Sequence, residues 1–146
     1  MKKETTVIAV SPAEVKPAQP LDLYTAQPAA GFPAPGDDMV VRPLDLNDLL
    51  IDNPTTTFFV RVSGDSMEGA GIFDGDYLII DRSVEAKSGA IVVAAVFGEL
   101  VVKRLTKHAG KTALVSENEA YEPILINNEE DVYLWGVVIG SARVFR

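Results

Sequence analysis

Ser66 and Lys103 are the two residues best equipped for covalent chemistry. Ser66 lies in Ser63-Gly64-Asp65-Ser66-Met67, and Lys103 in Leu100-Val101-Val102-Lys103-Arg104-Leu105. A serine hydroxyl attacks a carbonyl carbon when a base takes its proton, and a neutral lysine can be that base, so the pair can form a hydrolase dyad without histidine. The single histidine, His108, falls in His108-Ala109-Gly110-Lys111, which reads as an exposed turn. Each residue also has an ordinary structural reading. Gly-Asp-Ser is a common turn in which the hydroxyl bonds nearby backbone. A strand lysine near a sheet edge can bury its stem and send its ammonium to water. Strand alternation places Lys103 on the face of Val101 and Leu105, with Leu100, Val102 and Arg104 on the other. Burial of an amine among aliphatic side chains disfavours its charged form, which is the direction that a lysine base requires.

Asp74-Gly75-Asp76, with Asp81 beyond, resembles part of a calcium loop, but no bidentate glutamate follows at the required spacing. Turn formation is the better reading.

The elements that must position this chemistry read as mostly β. Runs at Thr57–Ser63, Tyr77–Asp81, Ala90–Phe97, Leu100–Leu105, Thr112–Ser116 and Val132–Phe145 are separated by turns carrying Gly64, Gly75, Gly89, Gly98 and Gly110. Strands at this spacing predict a compact, mostly antiparallel fold. Leu46, Leu49 and Leu50 recur at helical spacing, with Asp45 as N-cap and Asn53-Pro54 as the stop, which predicts one short helix. Seven of the nine prolines fall at or before residue 43, so residues 1–40 are expected to form an extended, poorly packed arm.

Composition narrows the classes. With 146 residues, 47% of them hydrophobic, one core is expected rather than two. The absence of cysteine removes disulfides, thiolate nucleophiles and cysteine-based zinc sites. A net charge of −8 disfavours direct contact with a phosphate backbone, so any link to nucleic acid is expected to run through a protein partner. Lys2 and Lys3 are followed by Glu4 and a short apolar run, Val7–Val10, too short for a secretory core. The longest strictly apolar stretch, Ile91–Phe97, is far below the ~20 residues of a membrane helix. A soluble, cytoplasmic protein is the expectation.

Several segments, taken in order, form a family pattern: Asp45–Ile51, Val60–Met67, Gly71–Leu78, Ser88–Val92, Val101–Leu105 and Val132–Val138. Together they resemble the LexA-type self-cleaving serine peptidases, specifically the UmuD branch of mutagenesis accessory proteins. LexA and phage repressors carry an N-terminal helix-turn-helix domain, which a proline-rich arm cannot build.

The resemblance implies a strongly bent antiparallel sheet with one short helix. It divides the chain into a cleavable arm, residues 1–40, and a peptidase-like β domain, residues 41–146. It makes Ser66 the nucleophile and Lys103 the general base, with the backbone N–H groups of Asp65 and Ser66 as oxyanion donors. Family members cut their own chain before a glycine, after alanine or cysteine, and Ala30-Gly31-Phe32-Pro33 is similar to that site. Ala30 suits a shallow pocket, and Gly31 has no Cβ to obstruct the serine. The implied activator is a RecA filament on single-stranded DNA. The shortened chain would be a homodimer that assists a UmuC-like Y-family polymerase in error-prone synthesis past lesions during the SOS response. No cofactor or metal is implied, nor a membrane or direct DNA contact. Two other readings are a non-cleaving polymerase-binding module that keeps the fold, and a signal-peptidase-like enzyme acting on other chains.

Overall fold

The computed structural model describes residues 3–14, 21–24, 40–108, 110–126 and 132–146. Two compact units are present, Met1–Ala13 with Asn53–Arg146, and Glu14–Asp52. In chain order the strands are β1 (Thr6–Pro12), β2 (Leu21–Tyr24), β3 (Val40–Leu44), β4 (Thr57–Ser63), β5 (Tyr77–Asp81), β6 (Ile91–Val96), β7 (Glu99–His108), β8 (Lys111–Val115), β9 (Ile124–Leu125) and β10 (Val132–Ala142). Among the described residues, no helix is long and apolar enough to cross a membrane.

In the smaller unit, β2 and β3 pair antiparallel with Tyr24 opposite Val40. Helix α1 (Leu46–Leu50) follows, and the Asp45 carboxylate accepts from Asn47 N at 2.9 Å. This is the N-cap expected from the leucine spacing.

The larger unit is one antiparallel sheet in the order β1-β4-β5-β10-β6-β7-β8-β9. Strand β1 also touches β7, with Thr6 opposite Val101, so the sheet curls until its first strand meets its sixth. That curvature decides where the chemistry sits. Although β4 and β7 are far apart along the ladder, the chain ahead of β1 runs beside both. Part of the stretch expected to be poorly packed is therefore packed: Thr6–Pro12 pairs along β4 from Ser63 to Phe58. The β-branched Thr6, Val7, Ile8 and Val10 suit an extended backbone, and β4 supplies the hydrogen-bonding edge.

Two apolar clusters fill the sheet. Val60, Val62, Met67, Ile72, Leu78, Ile80, Val93 and Val102 form one, and Val92, Ala94, Val96, Val101, Leu105, Leu114 and Val137 the other. Strand β7 feeds both, because its successive side chains alternate in direction.

Gly136 lies where β10 crosses β5 and β6. A Cβ there would stand 2.5 Å from Ile80 Cγ2 and 3.2 Å from Arg82 Cγ, and Ile80 is fully buried. Gly136→Ala is expected to destabilise the fold by ~1–3 kcal/mol through overpacking. A fall in the urea midpoint at unchanged slope would register it.

Candidate active site

Strand β4 ends at Ser63, and the chain then turns through Gly64 at a φ of 117°. A Cβ at Gly64 would lie 2.2 Å from the Glu4 carbonyl oxygen, so this turn needs glycine for its angle and for the close approach of another backbone. Gly64 N donates to Asp74 Oδ1 at 2.9 Å. That bond, with help from the Ser63 hydroxyl, holds the Asp74 carboxyl below its ordinary range. Asp76 N donates to Phe73 O at 3.0 Å, so Asp74-Gly75-Asp76 forms the turn expected of it and braces the loop carrying Ser66.

Met67 is fully buried in the first apolar cluster, which anchors the backbone beside Ser66. Asp65 is tied from the other side. Tyr121 Oη donates to Asp65 Oδ1 at 2.6 Å, and Asn118 Nδ2 donates to Asp65 O at 3.2 Å. The tyrosine bond, then the backbone contact with Lys3, lowers the Asp65 pKa. Burial, followed by the bond to Asp65, pushes Tyr121 up to about 12.

Lys103 projects from β7 opposite Val92 of β6, on the face shared with Val101 and Leu105. It is 1% exposed, so the edge reading, with the ammonium in water, does not apply. Its Nζ donates to Ser116 Oγ at 2.6 Å and forms an ion pair with Glu4 Oε1. The Tyr121 ring centroid is 5.8 Å from Nζ. Ser66, fully buried, donates through Oγ to Glu4 Oε1 at 3.1 Å and accepts from Thr5 N at 2.9 Å. Ser66 and Lys103 thus converge on a single oxygen, Glu4 Oε1. Asp65 N, expected to be an oxyanion donor, donates here to Lys3 O at 2.8 Å. Ala30 and Gly31 lie outside the described residues.

Comparison with known proteins identifies the family. The chain matches the family described as Peptidase S24-like over residues 22–139. It belongs to that family. Relatives of this S24-like chain include protein MucA of Salmonella typhimurium, 38% identical over 122 residues and 83% of each chain. Protein SamA of Salmonella typhimurium strain LT2 is 36% identical over 132 residues, 90% of this chain and 91% of its own. The LexA repressor of Bordetella petrii is 37% identical over 116 residues, 79% of this chain but 51% of the repressor. Residues 45–138, which carry the motifs quoted above, fall inside the matched region, and the LexA-type, UmuD-branch likeness read from them is borne out.

Ser116, Tyr121, Thr5 and Glu4 of this S24-like peptidase were not singled out from sequence. Ser116 had a usable signal: with Arg104 opposite Val115 in the β7–β8 hairpin, the next position out sets Ser116 against Lys103. Glu4 had none, since its partners Ser66 and Lys103 are distant in sequence.

Proposed function

We propose that this chain is a self-cleaving regulator of the SOS response. The convergence of a buried serine and a buried lysine on one oxygen supports this reading above all else. Lys103, neutral and free of Glu4, takes the proton of Ser66 as Oγ attacks the Ala30 carbonyl carbon. The N–H groups of Asp65 and Ser66 hold the oxyanion. Lys103 then returns its proton to the departing Gly31 amine, leaving an acyl-enzyme on Ser66. Water hydrolyses that ester, which restores the serine and releases residues 31–146. Ser116, hydrogen-bonded to Nζ, orients the lysine throughout.

Because the scissile bond belongs to the same chain, local concentration replaces affinity, and docking of the arm is the step open to control. The RecA filament on single-stranded DNA favours the docked position, a population shift. The shortened chain, as a homodimer, assists a UmuC-like Y-family polymerase in translesion synthesis. The family likeness supports these partners, and the charge of −8 is consistent with a role through proteins.

Incubation at rising alkaline pH, followed by mass spectrometry, tests the chemistry. A break between Ala30 and Gly31 is expected, and its rate should rise with pH. Activated RecA should produce the same fragments near neutrality. Retention of an intact chain under every condition, or cutting by Ser66→Ala, would exclude the mechanism.

A further inference from the structure

We propose that Lys3-Glu4-Thr5 is an internal plug of the peptidase site, seated by Glu4 between nucleophile and base, and that the arm is cut after this segment withdraws. The inference rests on the proposed roles of Ser66 and Lys103.

Three of the polar features that a scissile peptide would use, the Asp65 N–H, the Ser66 hydroxyl and the Lys103 amine, are already engaged by this segment. Lys3 O accepts from Asp65 N at 2.8 Å, the position of an oxyanion donor. Thr5 N donates to Ser66 Oγ at 2.9 Å, and Thr5 O accepts from Val102 N at 3.0 Å, beside Lys103. Between them, Glu4 Oε1 accepts the Ser66 hydroxyl and pairs with Lys103 Nζ. A lysine paired as an ammonium has three N–H donors and no lone pair, so it cannot receive the serine proton. Glu4 does not replace it productively, because the Lys3 carbonyl holds Asp65 N–H, one of the two donors that an incoming carbonyl needs. A Cβ at Gly64 would stand 2.2 Å from the Glu4 carbonyl oxygen, so the segment's backbone occupies the space directly beside this turn.

The same contacts make the plug releasable. Its seat consists of hydrogen bonds to the side chains of Ser63, Asp65 and Ser66, a few backbone bonds, and one ion pair whose carboxylate side chain is 33% exposed. Thr5 Oγ1 is buried with no hydrogen-bond partner among the described residues, a cost that withdrawal relieves. A register shift between Val7 and Ala9 interrupts the β1–β4 ladder just beyond, so the first residues can leave while Val10–Pro12 stay paired.

Alkylation reads the plug without calling on catalysis. The chain has no cysteine, so Ser66→Cys gives one thiol whose reaction with iodoacetamide reports access to the site. In that background, Glu4→Ala and deletion of residues 2–5 should each speed alkylation at least tenfold. Glu4→Gln, which keeps the size and loses the charge, should fall between them and the parent. A cooperative melting transition must be retained. Smaller changes in rate, or faster alkylation accompanied by loss of that transition, would overturn the plug. With Ser66 intact, Glu4→Ala should also speed self-cleavage near neutral pH. Faster alkylation with no break between Ala30 and Gly31 would leave the plug standing and remove the cleavage reading instead.

Discussion

Lys103→Met is expected to reduce self-cleavage by at least ~10²–10⁴-fold while leaving the fold as stable as before, within ~1 kcal/mol, or more stable. The two readouts separate a lysine kept for chemistry from one kept for structure. Lys103 is 1% exposed and faces the aliphatic cluster of Val92, Val101 and Leu105, a position that a thioether chain of similar length fills with no polar atom to satisfy. Removing one partner of a buried ion pair is normally destabilising because the other charge is stranded. Here the partner carboxylate, Glu4, is 33% exposed and can turn to water, and Ser116 loses one bond. Unfolding by urea measures the first quantity and fragment yield at alkaline pH the second. If Lys103→Met loses several kcal/mol and still cuts at a tenth of the parental rate, the lysine is a structural element and the proposed base is wrong. Ser66→Ala combined with Lys103→Met should be no slower than either change alone, since nucleophile and base act in one step.

Much of this site was legible in the chain because its informative features are local. Lys103 falls between Val101 and Leu105 at a two-residue period, and that alternation alone assigned it to an apolar face. Strand β4 begins and ends at the expected residues because its apolar run is bounded by Pro54 and Gly64, and α1 is marked by Asp45 and the leucine spacing. The first strand was not legible in this way. Thr6–Pro12 exposes Ile8 and Val10, so it lacks the clean alternation of a half-buried strand, and its place depends on the distant edge of β4. Prolines at 12, 17 and 20 pointed to an arm, yet Pro12 closes β1 opposite Phe58. Glu4 illustrates the limit more sharply. An acidic residue near a chain start carries no local sign that curvature of an eight-stranded sheet will bring it against residues 66 and 103.

Asp76→Ala should cost ~2–4 kcal/mol at neutral pH. Asp76 is 1% exposed, and its carboxylate accepts from Arg143 Nε at 2.7 Å, Arg143 Nη2 at 2.8 Å and Phe73 N at 2.8 Å. Arg143 also donates to Gly71 O at 3.1 Å and lies over the Phe73 ring at 4.4 Å. The carboxylate therefore ties the end of β10 to the turn that follows the nucleophile loop. Alanine leaves the Phe73 N–H without its acceptor and the guanidinium without its counter-charge, whereas Asp76→Asn preserves an acceptor and should cost about half as much. The bond from Arg143, opposed by burial and aided by Phe73 N, holds the Asp76 pKa below its ordinary value. A carboxyl depressed in the folded state stabilises the protein above its unfolded pKa of about 3.9, and that contribution is lost as pH falls through the folded value. The gap between parent and Asp76→Ala should therefore be constant from neutrality to about pH 5 and narrow below about pH 4. Both proteins keep an acid limb, because Asp65, Asp74 and Asp81 are also lowered, but the variant's should be shallower by up to one proton. Urea unfolding at a series of pH values gives both curves. A gap that stays constant down to pH 2 would show that Asp76 contributes through packing rather than through its charge.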